Sequence, residues 1–259
     1  MPSTTADENA MPDPYRKQLD KYAEALSIAH NDEVVGDLKS GNTADMLKMF
    51  TDGNLDKRFN KVKDQVEFVA EFFDEEEFEE QVVTYVKTLP LLAYDTGISD
   101  GERFLDWLPS QLELSEEQKD AIRCQQARHK IEDVARGNRL AHVSFQGQLT
   151  VAEKLAEDFG EDDKLQIQVN PICVRTTFKT TALLGDDAEV PAIVQFYPVK
   201  NDIRTALLED DGLELIDVLH ESGPTTLDNL QAAMTFKMSR DELMELCLEL
   251  VEIKLATIR

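Results

Sequence analysis

The side chains able to do chemistry in this sequence are few and scattered. The four histidines, His30, His129, His142 and His220, include no pair at the i, i+4 spacing of a helical metal site. His129 has Asp133 one turn on and His142 downstream, which gives a metalloenzyme reading to hold against the others. A satisfied surface or packing histidine is the commoner state of such residues. The carboxylate runs at 74–77 and 161–163 lack the alternating ligands and central glycine of a calcium loop, and read as helix caps and a linker. Cys124, Cys173 and Cys247 lie far apart among apolar neighbours with no CxxC spacing, the pattern of reduced core thiols. The sequence has no GxSxG elbow, no P-loop and no GxGxxG. No catalytic residue, no metal ligand and no cofactor is therefore expected.

Composition narrows the partners. The chain has 259 residues, 42% hydrophobic, with a formal net charge of -25 and a pI near 4.4. That is enough for a core and two domains. A polyanion is repelled by nucleic-acid phosphate and by anionic membrane surfaces, so neither is an expected partner. No apolar run approaches the roughly 20 residues needed to span a bilayer, and no secretory signal opens the chain. A cytoplasmic protein is expected.

The elements that would position any site fall into two groups. Residues 1–14 are polar, with Pro12 and Pro14, and read as a disordered tail. Residues 15–28 carry Leu19, Tyr22, Ala23 and Leu26 at helical spacing. Residues 31–53 read as a shorter helix pair stopped at Gly53. Phe59, Val62, Val66, Val69 and Phe73 form one helical stripe, and core packing is what such a stripe serves. Asp74 caps the next helix, whose Glu75, Glu76 and Glu77 sit at the positive end of its dipole. Its stripe is Phe78, Val82, Tyr85, Val86 and Leu89, and Pro90 ends it. Ser99 with Glu102 forms a capping box before Phe104, Leu105 and Trp107. Ser115 caps a long helix to about residue 136. Thr150 marks a short helix closed by Gly160. Residues 15–160 thus form a helical domain.

From residue 161 the periodicity changes. Leu165, Ile167 and Val169 alternate as a strand, and residues 172–184 are again strand-like. Residues 190–199 and 203–208 form a hairpin turning at Lys200, Asn201 and Asp202. Three helices follow, at 213–220, 226–234 and 239–251, and then a short strand at 253–258. The fold class is α+β, and the order hairpin, three helices, strand is that of a winged helix over residues 161–259. Such a domain that binds DNA needs Lys or Arg on its recognition helix. Here the last helix carries Asp241, Glu242, Glu245 and Glu249 against Arg240 alone. A transcription factor is the weaker alternative. Peptide capture is the stronger reading: an extended peptide pairs with an exposed strand, Ile203, Arg204, Thr205, Ala206 and Leu207, and a groove floored by Leu243, Leu246, Cys247 and Leu250 takes its side chains. Phe104 and Trp107, beside a loop, are candidates for an aromatic anchor at a protein interface.

The stretch FVAEFFDEEEFEEQVVTYVKTLPLLAYDTGISDGERFLDWL resembles a phrase from a known family, in which an aromatic and acidic helix ending Y-x-x-x-x-P leads through a loop to F-x-x-F-L. The matching residues are Phe72, Phe78, Tyr85 and Pro90, then Phe104 and Leu105. DAIRCQQARHKIEDVA is similar to the family's long helix, and LQIQVNPICVRTTFKTTALL to its L-x-P strand, with Pro171 at the proline. The family is that of the DNA-binding-domain-type partner proteins of multinuclear non-heme iron oxidative enzymes. It includes the partners in methanobactin, 3-thiaglutamate and bufferin biosynthesis, and the layout here is most similar to the 3-thiaglutamate branch. The resemblance implies a non-catalytic subunit that forms a heterodimer with the iron enzyme and recognises the leader part of a ribosomally made precursor peptide. The enzyme would then modify a cysteine of that peptide. VQFYPVKNDIRTALL and the three helices after it are similar to the PqqD-like recognition element of such pathways. The family's glycine before the acidic phrase is absent, with Asp74 near its place, and the arginine content of the helical half is reduced.

Overall fold

The structure is a computed structural model that describes residues 41–88 and 98–259. The expected tail, the helix at 15–28, His30, Leu89 and Pro90 lie outside the described residues. The chain is α+β, mixed helix and small antiparallel sheets, in two compact units, Met1–Leu114 and Ser115–Arg259.

The first unit holds α1 (Gly41–Gln65), α2 (Glu67–Ala70), α3 (Glu75–Thr88), α4 (Asp100–Trp107) and a 3-10 turn, Leu108–Ser110. Gly53 does not stop a helix as expected. α1 runs through it, because Gly53 keeps an ordinary negative φ and a helix ends at glycine only where the left-handed conformation is adopted. Asp74 caps α3 by accepting from the Glu76 and Glu77 N–H groups at 3.0 and 3.2 Å. The capping box of Ser99 and Glu102 is formed. Gly101 lets α4 approach α1 closely: a Cβ there would lie 2.6 Å from Gln65 Cβ. Val62, Val66, Phe78, Val82, Tyr85, Phe104 and Leu105 are enclosed together in the core. The Phe104 ring packs edge-on to Phe78 at 5.7 Å and to Tyr85 at 5.4 Å, geometry that suits the ring quadrupoles.

A buried ion pair fixes this core. Arg58 on α1 donates Nε to Asp100 Oδ2 at 2.5 Å and Nη2 to Oδ1 at 3.0 Å, and Nη1 reaches the Val86 carbonyl at 3.1 Å. The Tyr85 hydroxyl donates to Asp100 Oδ1 at 2.7 Å. Burial pushes the Asp100 carboxyl up, but the hydrogen bonds from Arg58 and Tyr85 and the charges of Arg58 and Arg103 outweigh it and hold the group below the usual aspartate range. α1, α3 and α4 are tied at one carboxylate.

The second unit holds α5 (Glu116–Gly137), α6 (Arg139–Leu155), β1 (Ile167–Val169), β2 (Val174–Phe178), β3 (Ala192–Val199), β4 (Asp202–Leu207), α7 (Asp210–Ser222), α8 (Leu227–Ala233), α9 (Arg240–Glu252) and β5 (Ala256–Ile258). β2, β3 and β4 form one antiparallel sheet in that order, and β1 pairs with β5 in a second. α5 packs on β2 and β3, and α6 on β5. The sequence periodicity groups these two helices with the helical half, whereas in the structure they belong with the sheets. Thr150 is not an N-cap. It lies inside α6, and its hydroxyl donates to the Gly147 carbonyl at 2.8 Å. The strand expected over 172–184 ends at Phe178 because the next two N–H groups turn to a carboxylate. Asp120 Oδ2, fully buried on α5, accepts from the Lys179 and Thr180 amides at 2.9 and 2.8 Å and from the Thr180 hydroxyl at 2.8 Å.

The Asp100 tie gives a test. Asp100→Ala removes the carboxylate that pairs with the buried Arg58, and we expect a loss of about 3–5 kcal/mol, the usual cost of breaking a buried pair, read by chemical denaturation. The folded-state value of Asp100 lies below its unfolded one. Its contribution is therefore full above the ordinary aspartate range and is lost as pH falls through the depressed value. The wild type should lose stability along that limb, and Asp100→Ala should show a shallower loss.

Candidate functional site

β4 is the edge strand of its sheet. It pairs with β3 on one side only, with Val194 opposite Leu207, Phe196 opposite Thr205 and Pro198 opposite Ile203. Just beyond the strand, the Leu208 N–H donates to the Ile193 carbonyl at 3.4 Å. Antiparallel pairs alternate between bonded and non-bonded, so Ile203, Thr205 and Leu207 turn both their N–H and C=O groups to the outer edge. Pro198 fits this register: it has no N–H, and it stands opposite Ile203 in a non-bonded pair.

The hairpin end of β4 is pinned. Lys200 sits in the left-handed region at φ 56°, which costs energy for a residue with a Cβ. Gln146 on α6 accepts from the Lys200 amide at 2.8 Å and donates to the Pro198 carbonyl at 3.1 Å. Asn170, buried, donates to the same carbonyl at 3.0 Å. Side chains thus replace the strand partner that β2, which begins at Val174, does not supply there.

At its other end β4 opens into a cleft of about 620 Å3. Ile193, Leu207, Leu208, Leu213, Phe236 and Met238 give it apolar walls. Leu207 is 55% exposed and Phe236 49%, and Val190, next to the lining Pro191, is exposed as well. Asp187, Glu189, Glu209, Asp210 and Asp211 stand around the walls, with Lys237 the one basic residue of the lining.

The segment that presents Phe236 is held by one carboxylate. Glu214 on α7 accepts from the Thr235 amide at 2.7 Å, from the Thr235 hydroxyl, and from the Phe236 amide at 3.1 Å. These hydrogen bonds, the Thr235 hydroxyl first, hold the Glu214 carboxyl below its usual range. Gln231 reaches the Met238 carbonyl at 3.2 Å on the far side.

The structure places the expected site residues unevenly. Arg204, Thr205 and Leu207 are exposed on the edge, with Ile203 and Ala206 half-buried. Three of the four groove-floor residues need correction. Leu243 and Cys247 have no exposed surface and Leu250 has 2%. They belong to the core that also takes in Ile167, Leu219 and Leu255, so no ligand touches them while α9 stays in place. Leu246 is half-buried. The apolar surface beside the edge comes instead from Phe236, Met238 and Leu213. The signal for it was present: Phe236 is an aromatic residue flanked closely by Met234 and Met238, between two helices and on neither stripe. Phe104 also needs correction. It is fully enclosed and unable to act as an interface anchor, and Trp107 is half-buried against Tyr85 at 5.5 Å.

Among the described residues no three His, Cys, Asp or Glu side chains converge in a way that could hold a metal ion, and His129, Asp133 and His142 are not brought together as one. His129 Nε2 lies 2.9 Å from Gln125 Nε2. The three cysteines are free thiols. Burial pushes Cys247 and Cys173 up to about 12 and also raises Cys124, which leaves little thiolate for nucleophilic attack. Among the described residues no helix is long and apolar enough to cross a membrane.

No protein-family model matches this chain, and comparison with the curated proteins finds no significant match.

Glu214→Ala should free the Phe236 segment without unfolding the unit. The expected result is faster amide hydrogen exchange at Thr235 and Phe236, with exchange in α9 unchanged. The folded value of Glu214 is depressed, so the tie is complete above the ordinary glutamate range and weakens as pH falls through that depressed value. Once corrected for intrinsic exchange, wild-type protection at these two amides should fall over the same interval.

Proposed function

We propose that this chain is a non-catalytic recognition subunit that captures an extended peptide by strand addition at β4 and delivers it to a partner enzyme. One observation carries the reading. An edge strand with outward backbone groups at three alternate residues runs directly into an apolar cleft bearing exposed Leu207 and Phe236. Backbone pairing supplies affinity in this mode, and pockets for alternate side chains supply selectivity.

The hairpin, three helices and closing strand have the order of a winged helix, and we read them as a PqqD-like recognition element. The sequence resemblance supplies the enzyme: a multinuclear non-heme iron oxidative enzyme, bound as a heterodimer, acting on a cysteine of a ribosomally made precursor whose leader lies along β4. The metals belong to that enzyme.

The transcription-factor reading has less behind it. Arg240, the one basic residue of α9, is engaged within the unit, with Nη1 donating to the Gly160 carbonyl at 2.9 Å and Nε to Asp228 at 3.2 Å. The solvent face of α9 is then carboxylates, which oppose phosphate.

The test is isothermal titration of the full chain with the leader peptide encoded beside its gene, alone and with the iron enzyme. Thr205→Pro removes one outward N–H at a position where an edge strand tolerates proline. Leu207→Glu puts a charge at the cleft mouth. Each variant should keep its circular dichroism spectrum and lose at least about tenfold in affinity, the usual worth of one buried hydrogen bond or apolar contact. Absence of leader binding, both alone and with the enzyme, would sink the proposal.

A further inference from the structure

The two ends of β4 lie in clefts of opposite character. At the Leu207 end the lining carries five carboxylates against one lysine. At the Asp202 end, Asp202 and Ile203 enter a second cleft of about 780 Å3 between α5, α6 and the hairpin turn. Arg128, Arg136 and Lys200 line it against Glu132 and Asp202, with His142 beside them. Arg136 is paired with Asp133 at 3.0 Å on the helix surface. Arg128 and Lys200 form no ion pair among the described residues. In a chain of net charge -25, two cations without an ion-pair partner among the described residues in one lining, balanced by Glu132 and Asp202 alone, contrast with the five carboxylates and one lysine of the other cleft, and they lie at one end of the proposed peptide track. Lys200 is set there by the hairpin geometry and by the Gln146 contact to its backbone.

We propose that β4 selects a peptide of opposed charge: carboxylates at the end lying by Arg128 and Lys200, and a lysine or arginine together with a large apolar side chain at the end lying by Leu207 and Phe236. The inference rests on the peptide-binding reading and adds the chemistry of its ligand. From Asp202 to Leu207 the strand rises about 17 Å at the usual spacing per residue, so the two charged ends of the ligand stand about five residues apart. Opposed charges at the two ends of a track penalise the reversed peptide as well as favour the correct one, so they fix polarity and register where backbone pairing alone leaves both open.

The experiment uses the full chain and synthetic fluorescent peptides that share one neutral Thr- and Val-rich extended scaffold with a terminal Leu. The peptides carry no charged block, a Glu pair and a Lys pair in either order, or like charges at both ends. One of the two mixed orders should bind at least about tenfold more tightly than the neutral scaffold, and the other order should bind more weakly than the first. The advantage should shrink as salt rises. Arg128→Glu with Lys200→Glu should abolish the gain from the Glu pair, read as the ratio of the affinities of the Glu-pair and neutral peptides for the same variant. Glu189→Lys with Asp210→Lys should abolish the gain from the Lys pair. If the neutral scaffold binds and neither mixed order exceeds it by twofold, the charge inference is overturned while strand addition stands. If no peptide of the set binds, and the natural leader does not bind either, both readings fall.

Discussion

β3 is the strand on which the second unit depends. It is the one strand of its sheet paired on both sides, and its polar groups hold elements that it does not pair with. The Tyr197 hydroxyl donates to the Ile253 carbonyl at 2.9 Å, which fixes the end of α9. Gln195 Oε1 accepts from Arg175, whose guanidinium goes on to Asp217 of α7. The Pro198 carbonyl gathers Gln146 and Asn170. Buried backbone and side-chain polar groups must be satisfied. Here that requirement sets where α6, α7 and α9 can stand. With β3 enclosed and β2 stopped by Asp120, the open backbone of this sheet lies on the outer sides of β2 and β4.

The first unit follows the same rule on a smaller scale. Its Asp100 takes Arg58 and Tyr85 from two other helices, and the aromatic rings close around that cluster. Burying these charges is costly in itself, and removing one partner of such a cluster costs more, so the three helices are joined through Asp100. The Phe104 that resembles a family motif residue is explained by this packing without any role at a surface.

Local signals in the sequence were dependable where one interaction decides the outcome. Asp74, Ser99 and Ser115 cap their helices as their spacing indicates, because a cap needs only a side-chain oxygen and the next two or three N–H groups. The alternation of Ile167 and Val169 and the Lys200–Asn201 turn were legible for the same reason. Periodicity was less informative about partners. On α5 the apolar residues Ile122 and Ile131 are buried, and their spacing in the sequence says nothing about whether helices or a sheet bury them. The strand stop at Phe178 depends on Asp120, about sixty positions away, and no window of sequence contains both. The groove failed on the same point. Leu243, Cys247 and Leu250 have the spacing of a helix face, and a floor and a core look alike until depth is known. Phe236 lies in a connecting segment, where an aromatic residue has no period to read and only its Met234 and Met238 neighbours mark it.

The open edge of β4 has a further consequence. A strand that can accept a peptide can also accept the same strand of another copy. This edge is six residues long and carries Asp202 and Arg204, and each molecule bears a charge of -25 at neutral pH. Mutual repulsion at that charge holds copies apart. Near the pI of about 4.4 the repulsion vanishes while the edge persists, so colloidal stability in this protein depends on the acidity of its surface.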